Sequence, residues 1–564
     1  MSTTQDAADD MTFWRRPANV ARAYIDGPYG QLHYRSAGPS AGPLVPVLFI
    51  HASPSSGRMW EAALAALGAD RLALAPDTPG FGDSDAPPAP PEIPDYAATM
   101  GAFLDALGIT QVDVVGYHTG SKTCVELALQ RPGLVRKLAL VSAPIYSEEE
   151  LAKQKHDYAP EKIERDGSHL AWRWNFSKTF RKPDVPLIVA HRSLAESLKG
   201  GEQAPWGHRA AFNYLHAENL PKVRQPVLLF NFGDDLTAPT ARAAAHLANG
   251  RVVDLPDFSH GSIDVHSDVF VRHLRAFFDS DATTLPGGEA AKPVPAPPAL
   301  KARPIRRAFH DGPHGLIHLR QAGSVDSPRT PFVMFHMSPN SGRIYEALVA
   351  EMGRDRLAIA PDTPGFGESD APQQPPSIED YAACMGGLID RLGLPKVDVM
   401  GYHTGSQTAM ELARQRPDLV GKVVMVSAPL YTAEERALRH ARNKPLAVAE
   451  DGAHLIQRFA GLWQFYGTEV EYTVVARNFC ESLRGGPVGW WGHRAAFNYA
   501  MAENLPTVRQ PILLLNPDDD LAEQTPRARS LMANGQIHDL PYSHGMLDAH
   551  TAEIGQIVRQ FLDL

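Results

Sequence analysis

The stretch VDVVGYHTGS at residues 112–121 returns as VDVMGYHTGS at residues 397–406, 285 positions later. In each copy a short apolar run reads as a buried strand, and it leads into a glycine-flanked turn. A helical pattern follows, Ser121–Gln130 in the first copy. Strand, tight turn and helix in that order hold the side chain between the glycines at a strained, outward-pointing corner. That residue is His118 in the first copy and His403 in the second. The neighbouring hydroxyls of Thr119 and Ser121 cannot take the corner without moving the turn off its glycines.

The same offset joins other segments. RAYIDGPYGQLHYRSAG from Arg22 pairs with RAFHDGPHGLIHLRQAG from Arg307, and PDTPGFGDSDAP from Pro76 with PDTPGFGESDAP from Pro361. WGHRAAFNY occurs at Trp206 and again at Trp491. One residue is lost only near the end, where LPDFSHG at Leu255 meets LPYSHG at Leu540. Each repeat is therefore a whole domain, far longer than a solenoid unit. The reading places a first domain at residues 1–280, an exposed Pro/Ala-rich linker at 281–303 and a second domain at 304–564. Strand-like runs such as Val45–His51 alternate with helical patterns such as Tyr96–Leu107. That alternation implies an α/β chain whose two domains each have a mostly parallel sheet with helices on both faces. Sites on such sheets form at the carboxyl ends of the strands, where each motif below lies.

The chain has 564 residues and a net charge of −10. That balance argues against nucleic acid or an anionic membrane as partner, since both are bound through basic surfaces. Cys124, Cys384 and Cys480 are too few, and odd in number, for a disulfide framework. With no secretory-type leader and no long apolar run, these features point to a cytoplasmic protein.

The motifs resemble the α/β-hydrolase superfamily. GYHTG matches its G-x-nucleophile-x-G elbow with histidine in the nucleophile's place, a form that looks like a subgroup described only as hydrolase-like. IHASPSSGRMW from Ile50 and FHMSPNSGRIY from Phe335 resemble the H-G-x-P loop. That resemblance implies backbone oxyanion donors at Ala52 or Ser53 with Thr119, and at Met337 or Ser338 with Thr404. Ala52 and Met337 stand where the family has glycine, while His51 and His336 read as loop-orienting. The DTPGFG turns imply a structural role. PVLLFNFGDDLTAP from Pro226 places the family's acid at Asp235, with Asp234 as the alternative; PILLLNPDDDLAEQ from Pro511 places it at Asp520, with Asp519 as the alternative. DFSHG and PYSHG then supply His260 and His544. The resemblance covers nearly all of both halves and implies a helical cap at about 145–222 and about 430–507. In the caps His208, Asn213 and Tyr214, with His493, Asn498 and Tyr499, are placed to line a pocket; a substrate contact and a packing role are both open.

Histidine at the elbow removes the alkoxide-forming residue of the usual triad. His118 should face His260, with Asp235 behind the second ring, and His403, Asp520 and His544 should repeat the arrangement. Four readings follow: an elbow imidazole acting as nucleophile, two imidazoles acting as an acid–base pair, a metal held by imidazoles and a carboxylate, or a dead site on a binding module. No metal-ligand spacing motif is present, and the leading expectation is a cofactor-free, metal-free hydrolase of a small organic substrate (an ester, lactone or C–C bond). A lyase using the same imidazoles and a non-catalytic binding protein are the alternatives. The fused duplicate implies an ancestral homodimer whose interface is now intramolecular. The divergent caps imply pockets with different substrate fit.

Overall fold

The computed structural model of the chain describes residues 10–157, 162–287 and 303–564. Most of the expected linker, 288–302, lies outside the described residues. Eight strands build the first sheet: β1 (Val20–Gly27), β2 (Gly30–Ala37), β3 (Val47–Ile50), β4 (Ala73–Pro76), β5 (Val112–Tyr117), β6 (Val135–Val141), β7 (Val227–Phe232) and β8 (Gly250–Leu255). Their spatial order is β1-β2-β4-β3-β5-β6-β7-β8. β2 runs antiparallel to both its neighbours, and the remaining pairs are parallel. The second half repeats this with β9 (Arg306–Gly312), β10 (Gly315–Ala322), β11 (Phe332–Phe335), β12 (Ala358–Pro361), β13 (Val397–Tyr402), β14 (Val420–Val426), β15 (Ile512–Asn516) and β16 (Gly535–Asp539), in the matching order.

The central strands read as continuous apolar runs because both faces of the sheet are covered. Successive residues of a strand point to opposite faces. Thus Val47 and Phe49 of β3 enter one apolar layer with Val115 of β5 and Leu274, while Leu48 and Ile50 enter the other with Val114, Leu104 and Val125. A strand buried on one side only would alternate with polar residues, and these do not. The buried Asp77 of the first DTPGFG turn accepts the N–H groups of Gly57 and Asp83 at 2.7 and 2.8 Å, and its side-chain partners are His33 at 2.8 Å and Arg35 at 3.3 Å. That turn therefore braces the loop after β3, and Asp362 does the same for Gly342 and Glu368 in the second half.

Between β6 and β7 the chain forms helices at Glu148–Asp157, Ser168–Thr179, Leu187–Leu198, Ala204–Asn213 and His216–Asn219. The second half has helices at Ala433–Arg442, Ala453–Leu462, Tyr472–Leu483, Trp491–Asn498 and Met501–Asn504. Helices from both insertions share one apolar cluster that includes Leu170, Trp174, Leu455 and Phe459. No helix among the described residues is long and apolar enough to cross a membrane.

Charged side chains of the two halves interlock. Lys199, fully buried, pairs with Asp83 of its own half and with Glu368 of the other at 3.1 Å. Its counterpart Arg484 pairs with Glu368 and, at 3.6 Å, with Asp83. Arg22 reaches Asp370 at 2.7 Å, and Arg307 reaches Asp85 at 2.7 Å. Each of these contacts thus has a partner under exchange of the halves, whereas Arg22–Glu368, at 2.9 Å, is one-sided among the described residues. Removing one member of a buried ion cluster leaves the others desolvated and unpaired. Arg484→Met is expected to cost about 3–5 kcal/mol in urea unfolding, whereas Arg272→Ala, at an exposed i,i+4 pair, should leave the midpoint unchanged.

Candidate active site

The site is built on the turn between β5 and the helix Thr119–Gln130. His118 sits at that turn with φ 50° and ψ −110°, and His403 with φ 50° and ψ −111°. A side chain adopts this conformation only where the surroundings impose it. Here the imposing contact is close passage of main chain past main chain. A Cβ on Gly116 would run into the carbonyl of Gly120, and one on Gly120 into that of Ile50 at the end of β3. Gly401 and Gly405 meet the same constraint. The Ser121 hydroxyl is spent inside the turn, 2.8 Å from the Gly116 carbonyl and 2.9 Å from that of Val141.

The expected pair of imidazoles is present in both halves. The ring centres of His118 and His260 are 5.5 Å apart and nearly perpendicular, and those of His403 and His544 are 5.3 Å apart. His260 Nε2 is 2.8 Å from Asp235 Oδ1, and His544 Nε2 is 3.2 Å from Asp520 Oδ1. Sequence reasoning treated Asp234 and Asp519 only as alternatives for that role. The structure gives them a separate one: each backs the elbow histidine, with His118 Nε2 3.4 Å from Asp234 Oδ2 and His403 Nε2 2.9 Å from Asp519 Oδ2. Ser142 and Ser427, which sequence reasoning missed, donate to the same carboxylates at 2.6 Å. The adjacency of two aspartates in both copies was the available signal. Consecutive residues leaving a strand point to different sides, so one carboxylate reaches each ring.

Burial alone would raise Asp234, but the hydrogen bond and charge of His118 outweigh it and hold the carboxyl at about 2. Asp235 and Asp520 are lowered against burial chiefly by His260 and His544. Burial would lower His260 and His403, yet each is raised, by Asp235 and by Asp519 respectively. Each aspartate therefore favours the protonated form of its ring.

The other sequence-derived residues divide. Ala52, Ser53 and His208 line the cavity that holds His118, Asp235 and His260, a space of about 370 Å³. Thr404 and His493 line the cavity at His403 and Asp520, about 420 Å³. Burial draws His208 down to about 3 and His493 to about 4, so both are neutral rings near neutral pH. Met337 packs into an apolar cluster. Thr119 is buried at the first position of its helix. Tyr214 and Tyr499 are a correction: neither lines these cavities. Their hydroxyls donate to Glu126 and Glu411, at 2.9 and 2.6 Å. The helix Ala204–Asn213 ends just before Tyr214, turning it away from the face that carries His208. His51 orients its loop, since its Nε2 accepts the Thr78 N–H at 2.9 Å and its Nδ1 donates to the Ala52 carbonyl at 2.7 Å.

Potential metal-ligand atoms of His403, Asp519, Asp520 and His544 lie within 4.8 Å of one another, as do those of His118, Asp235 and His260. Hydrogen bonds account for the His403–Asp519, His544–Asp520 and His260–Asp235 approaches, while His118 is bonded to Asp234, outside its group.

A family model described as "alpha/beta hydrolase fold" matches residues 45–267 and 330–455. A haloalkane dehalogenase of Bradyrhizobium diazoefficiens is 26% identical over 218 residues, 37% of this chain and 66% of that protein. The chain thus spans just under two thirds of that relative, and 41% of an uncharacterized protein of Mycobacterium tuberculosis that is 36% identical over 154 residues. A non-heme chloroperoxidase of Streptomyces lividans is 27% identical over 274 residues, 44% of this chain and 96% of its own length. Among solved structures, the enol-lactonase from Burkholderia xenovorans matches with a TM-score of 0.40 and 22% identity, covering 46% of this chain and all of that one.

Asp235→Asn removes the group that raises His260 and leaves burial, which lowers it. NMR titration of the ring should show its pKa falling. In the intact protein the His260 contribution to stability is complete below its ordinary value of 6.5 and is lost as pH rises through the raised value. The Asp235 contribution is complete above 3.8 and is lost as pH falls through its lowered value.

Proposed function

The chain belongs to the alpha/beta hydrolase fold family, and we propose that it is a cofactor-free hydrolase of a small organic substrate, an ester, a lactone or a C–C bond, with a site in each half. The observation that carries this reading is the His118–His260 pair, each ring on its own aspartate, at the wall of a cavity large enough for such a molecule. The relatives named for haloalkane dehalogenation and chloroperoxidase activity support chemistry on a small organic molecule.

With Nε2 of His118 turned to Asp234, its Nδ1 is left for the reaction. For an ester, that nitrogen takes a proton from water as the water oxygen bonds to the carbonyl carbon. The N–H groups of Ala52 and Thr119 receive the oxyanion; Thr119 opens its helix, so its N–H has no partner within it. His260, whose pKa Asp235 raises against burial, gives its proton to the departing alkoxide as the C–O bond breaks. Acid and alcohol leave, and transfer of the proton from His118 to His260 restores the site. General acid–base catalysis of this kind supplies about 10²–10⁴-fold. In the second half Asp519 raises the elbow ring, so His403 takes the acid role, and His544 stands outside the cavity lining. The helical insertions serve as caps that shut the cavities from water.

The strained elbow at His118 favours a second route, in which that ring attacks the carbonyl and water cleaves the acyl-imidazole. Mass spectrometry of the quenched protein distinguishes them, since only the second adds an acyl group to the His118 peptide. The exchange-symmetric ion pairs between the halves support descent from a homodimer. Three buried, unpaired cysteines fit a cytoplasmic setting.

In an ester and lactone screen, His118→Ala and His403→Ala are each expected to lose part of the turnover, and the double variant at least about 10²-fold of it. Full activity in the double variant would sink the reading. Dialysis against a chelator should leave the rate unchanged. In His403→Ala, which keeps only the first site, the rate should fall on the alkaline side as His260 loses the proton it donates.

A further inference from the structure

We propose that the two sites take substrates of different charge: the second binds a molecule carrying a carboxylate, gripped by Arg439 and Arg442, and the first an uncharged one. This rests on reading both elbows as reacting centres and goes beyond it by assigning each a substrate class.

The cavity at His403 is walled by the helix Ala433–Arg442, which presents Leu438, Arg439 and Arg442 beside Tyr431. The Arg439 guanidinium lies over the Tyr431 ring, 4.4 Å from its centre. Among the described residues neither arginine forms a salt bridge. Glu435, the carboxylate on the same wall, is already taken by Arg527 at 2.6 and 2.9 Å. Arg439 lines the same cavity as His403 and Asp520. A third arginine, Arg458, is half-buried outside the cavity lining and donates to the Ser482 carbonyl at 3.3 Å. Burial draws its pKa down to about 10, and its charge acts on His493, which lines the cavity. A planar guanidinium fork matches a carboxylate in two parallel hydrogen bonds, and a partly desolvated cationic wall favours an anion over a neutral group.

The first half lacks these groups. At the 285-residue offset, Arg439 and Arg442 correspond to Gln154 and Asp157. Its cavity is walled instead by Trp172, Phe176, Val185, Val189 and Ile263. The Phe176 ring is 6.2 Å from His260, and the second half has Gly461 at that position. Arg173 and Arg181 also border the first cavity, but Arg181 is engaged by the Val185 carbonyl and by Glu450 at 3.5 Å, and Arg173 likewise has a partner. In the second half the chain at Phe465 and Tyr466 folds onto His544, whose N–H donates to the Phe465 carbonyl at 3.1 Å, and the Tyr466 ring is 5.9 Å from His544. The aromatic side is covered there, and the cavity opens along the arginine-bearing helix.

The test pairs binding with turnover on the full chain. Calorimetry with glutarate should show binding to the intact protein and to His118→Ala, weakened at least about tenfold in Arg439→Gln/Arg442→Gln. Melting temperature confirms that the variant is folded. With 4-nitrophenyl hydrogen glutarate and 4-nitrophenyl butyrate, His118→Ala should favour the charged ester in kcat/KM and His403→Ala the neutral one. The arginine substitutions added to His118→Ala should raise KM for the charged ester relative to the neutral one. Undiminished glutarate binding by the arginine variant, or one ester preference shared by both elbow variants, would overturn the proposal. Arginine-dependent glutarate binding with no turnover of either ester would support the charge assignment and sink the catalytic reading alone.

Discussion

The close passage of three stretches of main chain at Gly116, Gly120 and Ile50 is the constraint on which the site depends. It leaves no room for a Cβ on either glycine, and it forces the residue between them into a conformation that costs about 1–3 kcal/mol. The parallel sheet bears that cost because β5 is held between β3 and β6 and is buried on both faces. An imidazole so placed cannot fold back against its own strand, so it stands at the carboxyl end of the sheet with its ring free to meet other groups.

What it meets is arranged by β7. Asp234 turns inward to His118, Ser142 and the Leu236 N–H, while Asp235 turns toward the cavity and His260. Two carboxylates and two imidazoles then form a compact group in which each ring is oriented by its own acid. A single aspartate serving both rings would leave one of them unsupported when it takes up a proton in a partly buried site. The left-handed backbone of Ser142, φ 46°, brings its hydroxyl to Asp234, and Ser427 at φ 59° does the same for Asp519.

The halves hold each other through buried charge as well as through the apolar cluster their insertions share. Lys199, Arg484, Asp83 and Glu368 are almost wholly removed from water. Such clusters specify one arrangement, since any other leaves a charge unpaired. Two of their members, Lys199 and Arg484, lie just after helices of the insertions, and Val185 and Val189, ahead of Lys199 in the same insertion, line the first cavity. The junction and the site therefore share a wall.

The duplication, the α/β layering and the elbow were legible because repeats, continuous apolar runs and glycine-flanked turns leave marks along the chain itself, while Asp235 and His260 were reached through the family resemblance. Those marks depend on local sterics, which one strand, one turn and one helix already determine. The service of Asp234 to His118, the place of Ser142, the removal of Tyr214 and Tyr499 to Glu126 and Glu411, and the particular groups that wall each cavity were not legible. Each depends on which way a side chain points once separate elements pack, and on what a distant segment brings against it. No local spacing encodes that direction, so the tertiary structure alone decided which groups would meet.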